Sequence, residues 1–259
     1  MRLPVALEIT PPKTPKRDVL LRRARLLGER AEAVHVIQRP DRVPSLDAAI
    51  ELRAAGIRAV WHWVNRGKRA EELEAELERA VRAGLDSLLL VRGEAGPPEV
   101  TPPPKLAELV ARARAQLPAA RIGVTANPHL ARERVLANLW PKLAAGASFV
   151  QTQPIFALAE LAPLAEVLRT RAASVRIVPM LIPLPSVSAA ERLGERLRLP
   201  LPDTLLRRLE TGGEPAGWQA FAELAHQLAD SGLCDAVAVM THELDPPKSF
   251  GERIAAALG

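Results

Sequence analysis

Eight short apolar runs recur along this chain at a spacing near 28 residues, and that beat limits its possible folds more than any other feature. The runs are VALEI (5–9), AVHVI (33–37), AVWHWV (59–64), SLLLV (87–91), RIGVTA (121–126), FVQTQ (149–153), RIVPMLI (176–182) and AVAVMT (236–241). Their starts are separated by 28, 26, 28, 34, 28, 27 and 60 residues. A strand, a turn and a helix fit within roughly 30 residues, and eight such units in series make a (β/α)8 barrel. A doubly wound open sheet is the competing architecture, but it favours fewer strands and a glycine-rich first turn. Neither GxGxxG nor GxxxxGK[ST] occurs. The expectation is therefore an α/β protein, a (β/α)8 TIM barrel filling residues 1–259 as a single domain. The long last gap predicts an extra helical segment, about 184–235, with pieces near 187–197, 203–211 and 216–231.

The stretches between the runs carry helical spacing, as at Leu73, Leu77 and Val81. Four of them end alike, at Ala55-Gly56, Ala83-Gly84, Ala145-Gly146 and Ser231-Gly232, as expected of left-handed C-terminal caps that feed the next strand. Prolines cluster at Pro11-Pro12, Pro97-Pro98, Pro102 to Pro104, Pro183 and Pro185, Pro200 and Pro202, and Pro246-Pro247, read as loops that punctuate the units without dividing the chain into domains.

The charge balance removes several function classes. Of 35 basic residues 29 are Arg, and they are scattered among 30 acids on segments such as KRAEELEAELERAVRAG. Opposite charges three or four apart on a helix describe a solvated, paired face, so no nucleic-acid partner is expected despite the net charge of +5. A mild attraction for anionic small molecules remains. The one cysteine excludes a disulfide framework and a cysteine zinc cage, and no metal site is expected. The charge-free apolar stretch at residues 177–190 is too short and too rich in proline to span a bilayer. Glu8 interrupts the only apolar run near the N-terminus, so no signal peptide is read and a cytoplasmic location is expected. An Arg- and Ala-rich helical exterior leaves self-association into a homo-oligomer open.

Barrel chemistry is built at the C-terminal ends of strands and in the loops after them. Those ends present Glu8, Gln38-Arg39, His62 and Asn65, Arg92 and Glu94, Thr125 and Asn127, Gln151 and Gln153, and Thr241 to Glu243. Alternation along AVWHWV puts Trp61 and Trp63 on one face and His62 on the other. Indoles belong against the helix layer, which sends His62 into the barrel. Likewise Glu8 points inward while Leu7 and Ile9 face the helices, and Gln151 and Gln153 share a face. A carboxyl among apolar neighbours has its pKa raised and suits a general acid near neutrality. The alternative is that Glu8 pairs with a barrel arginine such as Arg92. Thr241, His242 and Glu243 face the mouth without an assigned role, and their His-Glu pair lacks the second His of a zinc-protease motif.

Several segments, in order, resemble the methylenetetrahydrofolate reductase family. ALEITPPK is similar to that family's E-F-F-P-P-K/R opening, VRGEAGPP to its L-R-G-D-x-P-P turn, and IGVTANPH to its I-G-V-A-x-Y-P-E segment. KLAAGASFVQTQPIF and IVPMLIPLPS resemble K-x-x-A-G-A-x-F-x-x-T-Q-x-x-F-D and I-x-P-G-I-M-P-I. The matches span strands 1 to 7, and His62 falls where the family has a histidine. The resemblance implies a barrel that binds FAD, takes hydride from NAD(P)H and reduces 5,10-methylenetetrahydrofolate to 5-methyltetrahydrofolate. On it, Glu8 is the general acid, Glu94 replaces an aspartate beside the pterin and flavin, and Gln153, with Gln151 on the same face, contacts the folate. His62, Arg92, Asn127, Asn138 and Lys142 fall at positions near the flavin.

The departures from the family pattern concern that cofactor. Gln38-Arg39 stands for its Thr-Tyr, Asn127 for a tyrosine at the flavin, Pro141 for an arginine beside Lys142, Ala157 for an aspartate and Met180 for a glycine. The chain has no tyrosine at all. Besides the FAD-dependent reductase, three readings stay open: direct hydride transfer from the nicotinamide without flavin, a folate-dependent one-carbon transferase, and a non-catalytic folate-binding module or partner subunit.

Overall fold

The alternation read from the strands sorts the side chains of this protein into two shells. The computed structural model describes residues 2–93, 103–241 and 243–259. Eight parallel strands close in sequence order into a barrel: β1 Val5–Ile9, β2 Ala31–Val36, β3 Ala59–Val64, β4 Ser87–Val91, β5 Arg121–Ala126, β6 Phe149–Pro154, β7 Arg176–Leu181 and β8 Val237–Met240. Each run predicted as a strand is one, with ends moved by no more than two residues. Helices α1 Arg17–Ala24, α2 Ser45–Ala54, α3 Ala70–Arg82, α4 Leu106–Gln116, α5 Arg132–Ala144 and α6 Leu158–Arg171 fill the connections. Helices α7 Val187–Leu197 and α8 Asp203–Ser231 occupy the long last gap, and α9 Lys248–Ala257 follows β8.

The outer shell lies between sheet and helices. Leu7, Val34, Val36, Trp61, Trp63, Leu88, Leu90, Val124, Val150 and Ile177 belong to it, packed on helix residues such as Leu52, Leu73, Leu77 and Leu109. Burying each such side chain contributes about 1.5–3 kcal/mol. Trp63 also donates from Nε1 to Glu76 Oε2 at 3.1 Å, which gives its polar edge a partner. The inner shell fills the barrel with Ala6, Val60, Leu89, Phe149, Val178, Met180, Ala238 and Met240. At its centre a Cβ on Gly123 would lie 2.1 Å from the Phe149 ring, so only glycine lets β5 pass beneath that phenyl group.

Local signals set the helix ends. Glu72 Oε2 accepts from the Arg69 amide at 2.7 Å at the start of α3, and Ser186 Oγ accepts from Ala189 N at 3.2 Å at the start of α7. The four predicted Gly ends all have positive φ. The two helical pieces expected near 203–211 and 216–231 form one element, α8, broken at Gly213 (φ 55°, ψ −145°). Pro215 then sits in the first turn of the second half, where its missing N–H costs nothing.

Candidate active site

The side chains that converge inside the barrel come from adjacent strands held in register. Glu8 on β1 pairs with His35 on β2, and His35 pairs with Val60 on β3, which leaves His62 two residues further along that strand. Glu8, His35 and His62 are 5%, 4% and 6% exposed. His35 Nδ1 lies 3.2 Å from His62 Nε2, and His62 Nε2 lies 3.8 Å from Glu8 Oε2. From the opposite side, Gln151 on β6 donates from Nε2 to Glu8 Oε2 at 2.9 Å. Phe149 packs edge-on against His35, with ring centroids 6.3 Å apart. The group is a polar patch closed by apolar side chains.

That enclosure decides the charges. Burial pushes the Glu8 carboxyl up to about 7, opposed by the Gln151 hydrogen bond and by the positive charge of Arg39. Burial takes His35 down to about 3, and it holds His62 well below its ordinary value with His35 adding to the effect. At neutral pH the two imidazoles are uncharged while Glu8 is close to its midpoint. A carboxyl in that state can give or take a proton, and the hydrogen bond from Gln151 fixes its orientation.

The expected site residues separate into two groups. Glu8, His62 and Gln151 come together in the interior. Gln153, two residues beyond Gln151, is half-buried, and its Oε1 is buried without a hydrogen-bond partner among the described residues. Asn65 (3% exposed) donates to Pro104 O at 2.8 Å and ties the end of β3 to the chain entering α4, while its Oδ1 has no partner among the described residues. Arg92 is exposed just past β4 and makes no ion pair with Glu8, so the alternative pairing of those two is not what the barrel adopts. Asn127 is half-buried, and its Oδ1 accepts from His129 N at 3.0 Å, closing the turn after β5. Asn138 is exposed on α5, whereas Lys142, one turn later, is 4% exposed and has its pKa lowered by burial. Glu94 and His242 lie outside the described residues. Thr241 Oγ1 is engaged by Glu243 O at 2.7 Å, a turn contact.

The residue that the sequence reading did not single out is His35. Its signal was present, since the alternation in AVHVI places it on the same face as Ala33 and Ile37. Arg39, read from the sequence as a strand-end residue without an assigned role, lines a small cleft with Glu8, Thr10, Ile37 and Met240 at the mouth.

A family model described as methylenetetrahydrofolate reductase matches residues 2–241. No curated protein matches the chain. Among solved structures, one similar to it is an uncharacterized protein from Clostridium thermocellum that binds two copies of 5-methyl-5,6,7,8-tetrahydrofolic acid. The two are 16% identical with a TM-score of 0.70, over 99% of this chain and 94% of that one. Tryptophan synthase from M. tuberculosis in its aminoacrylate-bound form is 13% identical with a TM-score of 0.59, over 100% and 94%. At such identities these likenesses show the barrel fold alone.

Proposed function

Because the chain belongs to the methylenetetrahydrofolate reductase family, we propose that it reduces 5,10-methylenetetrahydrofolate to 5-methyltetrahydrofolate with hydride from NAD(P)H, and that Glu8 is the general acid. The observation that carries this reading is the buried Glu8 carboxyl, held by Gln151 on the inner wall of the barrel and pushed up to about 7. A neutral acid is what the first step needs. Glu8 gives its proton to N10 of the folate, the N10–methylene bond breaks, and the N5-iminium that results accepts hydride on its methylene carbon. One proton and one hydride are consumed, and the products are the methyl compound and NAD(P)+.

Further residues have roles in binding. Gln153 presents an unpartnered amide oxygen that suits an N–H of the pterin, and Gln151 keeps the Glu8 carboxyl oriented. Glu94 is assigned to the pterin edge by family resemblance. The similar Clostridium protein binds a methylated tetrahydrofolate, the class of product this reaction makes.

FAD, the cofactor of the family, would supply a relay for hydride when bound. The five positions set aside for it do not form one cradle among the described residues. His62 is inside the barrel beside His35, the Asn127 oxygen closes a turn, Lys142 is buried in the helix layer, and Asn138 and Arg92 are exposed. NAD(P)H is accordingly the direct hydride donor in this reading.

The test is to purify the full chain and follow NADH and NADPH absorbance with and without 5,10-methylenetetrahydrofolate. The expected result is nicotinamide oxidation that requires the folate, by a protein without visible flavin colour. A coloured protein whose turnover tracks its flavin content would replace direct transfer with the flavin route. No folate-dependent oxidation of either nucleotide would overturn the reductase reading and favour a binding module.

A further inference from the structure

Two imidazole nitrogens and a carboxylate oxygen that face one another inside a barrel have a second use besides proton transfer. One ligand atom from each of Glu8, His35 and His62 lies within 4.8 Å of the other two, and all three side chains are buried. From the coordinates of these atoms we propose that Glu8, His35 and His62 form a binding site for a divalent transition metal of the Zn2+ class.

A four-coordinate zinc with bonds of about 2.0–2.1 Å to N and O sets its ligand atoms roughly 3.4 Å apart. The observed separations of 3.2 Å (His35 to His62) and 3.8 Å (His62 to Glu8) fall on either side of that edge. An ordinary hydrogen-bonded network explains the first distance but not the second, which is too long for an N–H···O bond. On the third edge the ligand atoms of Glu8 and His35 lie within 4.8 Å of each other. Consecutive strands β1, β2 and β3 supply the ligands, and their parallel register fixes Glu8 against His35.

A second observation comes from Gln151. Its Nε2 donates to Glu8, the outer contact that orients a metal-bound carboxylate, yet its Oε1 is buried without a partner among the described residues. Three protein ligands leave a fourth position for water, and a metal-bound water has the O–H this acceptor lacks. Two imidazoles and one carboxylate suit zinc or cobalt better than magnesium or calcium, which take all-oxygen shells. The Arg39 charge near Glu8 weakens the site without blocking it. The cleft beside Glu8, lined by Thr10, Ile37 and Met240, gives access from the mouth. A metal would hold Glu8 as a carboxylate, so the metal-loaded and acid-competent forms exclude each other.

The experiment strips the full chain with a chelator and titrates it with Co2+, following visible absorption, with Zn2+ as competitor. The expected result is one Co2+ per chain, the strong visible bands of low coordination number, and displacement by Zn2+. Glu8→Gln and His35→Ala are each expected to weaken binding at least about a hundredfold, since even outer contacts account for 10–100-fold. His226→Ala, an exposed histidine on α8, leaves binding unchanged. Circular dichroism and melting identify any variant that fails to fold, and near-isosteric Glu8→Gln then carries the test. Failure to bind Co2+, or unchanged binding in the variants that fold, would overturn the proposal. Reductase turnover is not the readout, so either result leaves the functional reading to its own assay.

Discussion

Gln151 and Glu8 are joined by a 2.9 Å hydrogen bond from amide Nε2 to carboxyl Oε2 that crosses the barrel from β6 to β1. The two residues are 143 positions apart in sequence, so this contact exists only once the barrel has closed. It favours the ionised form of Glu8 against the burial that raises its pKa. Replacing Gln151 with leucine removes that support, and the Glu8 pKa rises further. If Glu8 must be neutral to react, the alkaline limb of the turnover–pH profile moves to higher pH in Gln151→Leu. A limb that stays in place, or moves to lower pH, would separate Gln151 from the acid.

Glu8→Gln keeps the shape of the side chain and its hydrogen-bonding capacity while removing the transferable proton. General acids contribute typically about 10²–10⁴-fold. Folate-dependent oxidation of NAD(P)H is expected to fall by that factor, with folate binding by calorimetry nearly unchanged. Turnover equal to that of the parent would falsify the assignment of Glu8 as the acid.

The same carboxyl shapes stability against pH. In the folded protein Glu8 titrates near 7 rather than 4.5, so between those values the native state holds more proton than the unfolded chain. Stability from this group is complete below pH 4.5 and is lost as pH rises through 7. His35 acts in the opposite sense, since its folded value of about 3 lies below 6.5, and its contribution is lost as pH falls through that interval. The two slopes oppose each other from pH 4.5 to 6.5. Glu8→Gln removes one of them, and denaturant unfolding of metal-free protein is expected to show the variant gaining about 3 kcal/mol on the parent between pH 4.5 and 8. Parallel stability curves for the two proteins would contradict the buried, neutral state of Glu8.

What could be read beforehand follows from which physical constraints are local. Strand positions were legible because each run of β-formers such as AVWHWV is bounded by loop or cap residues, and the inward direction of Glu8, His62 and Gln151 follows from a period of two. Depth was not legible. Gln151 and Gln153 share a face, but strand tilt and stagger decide which one meets Glu8, and those are properties of the closed barrel. For the same reason His35 gave no sign of lying beside both Glu8 and His62. The break in α8 was visible only as two glycines followed by Pro215. The buried position of Lys142 depends on how α5 seats against the sheet, which a helical period alone does not give.

The packing of α8 yields the last expectation. Gly217 lies where the second half of this helix passes over the loop between β7 and α7, and a Cβ there would sit 1.8 Å from the carbonyl oxygen of Leu184 and 3.0 Å from Leu209. The obstacle at Leu184 is backbone, which cannot rotate aside as a flexible side chain can. Gly217→Ala therefore forces α8 away from a segment that carries Ile182 and Leu184, both buried in the inner shell. Alanine is the better helix former by about 1 kcal/mol, so propensity alone predicts a gain. Overpacking costs about 1–3 kcal/mol or more, and the clash with fixed backbone puts this site at the upper end. The net expectation is a loss of about 2 kcal/mol, a melting temperature lower by a few degrees for a chain of this size. As a control, Gly212→Ala on the same helix meets one atom, the Cβ of Ala216 at 2.7 Å, a milder overlap than 1.8 Å from a carbonyl oxygen, and it is expected to cost less. Calorimetric melting of the two variants checks both the direction and the ranking, and a more stable Gly217→Ala would mean that α8 does not sit this close to Leu184.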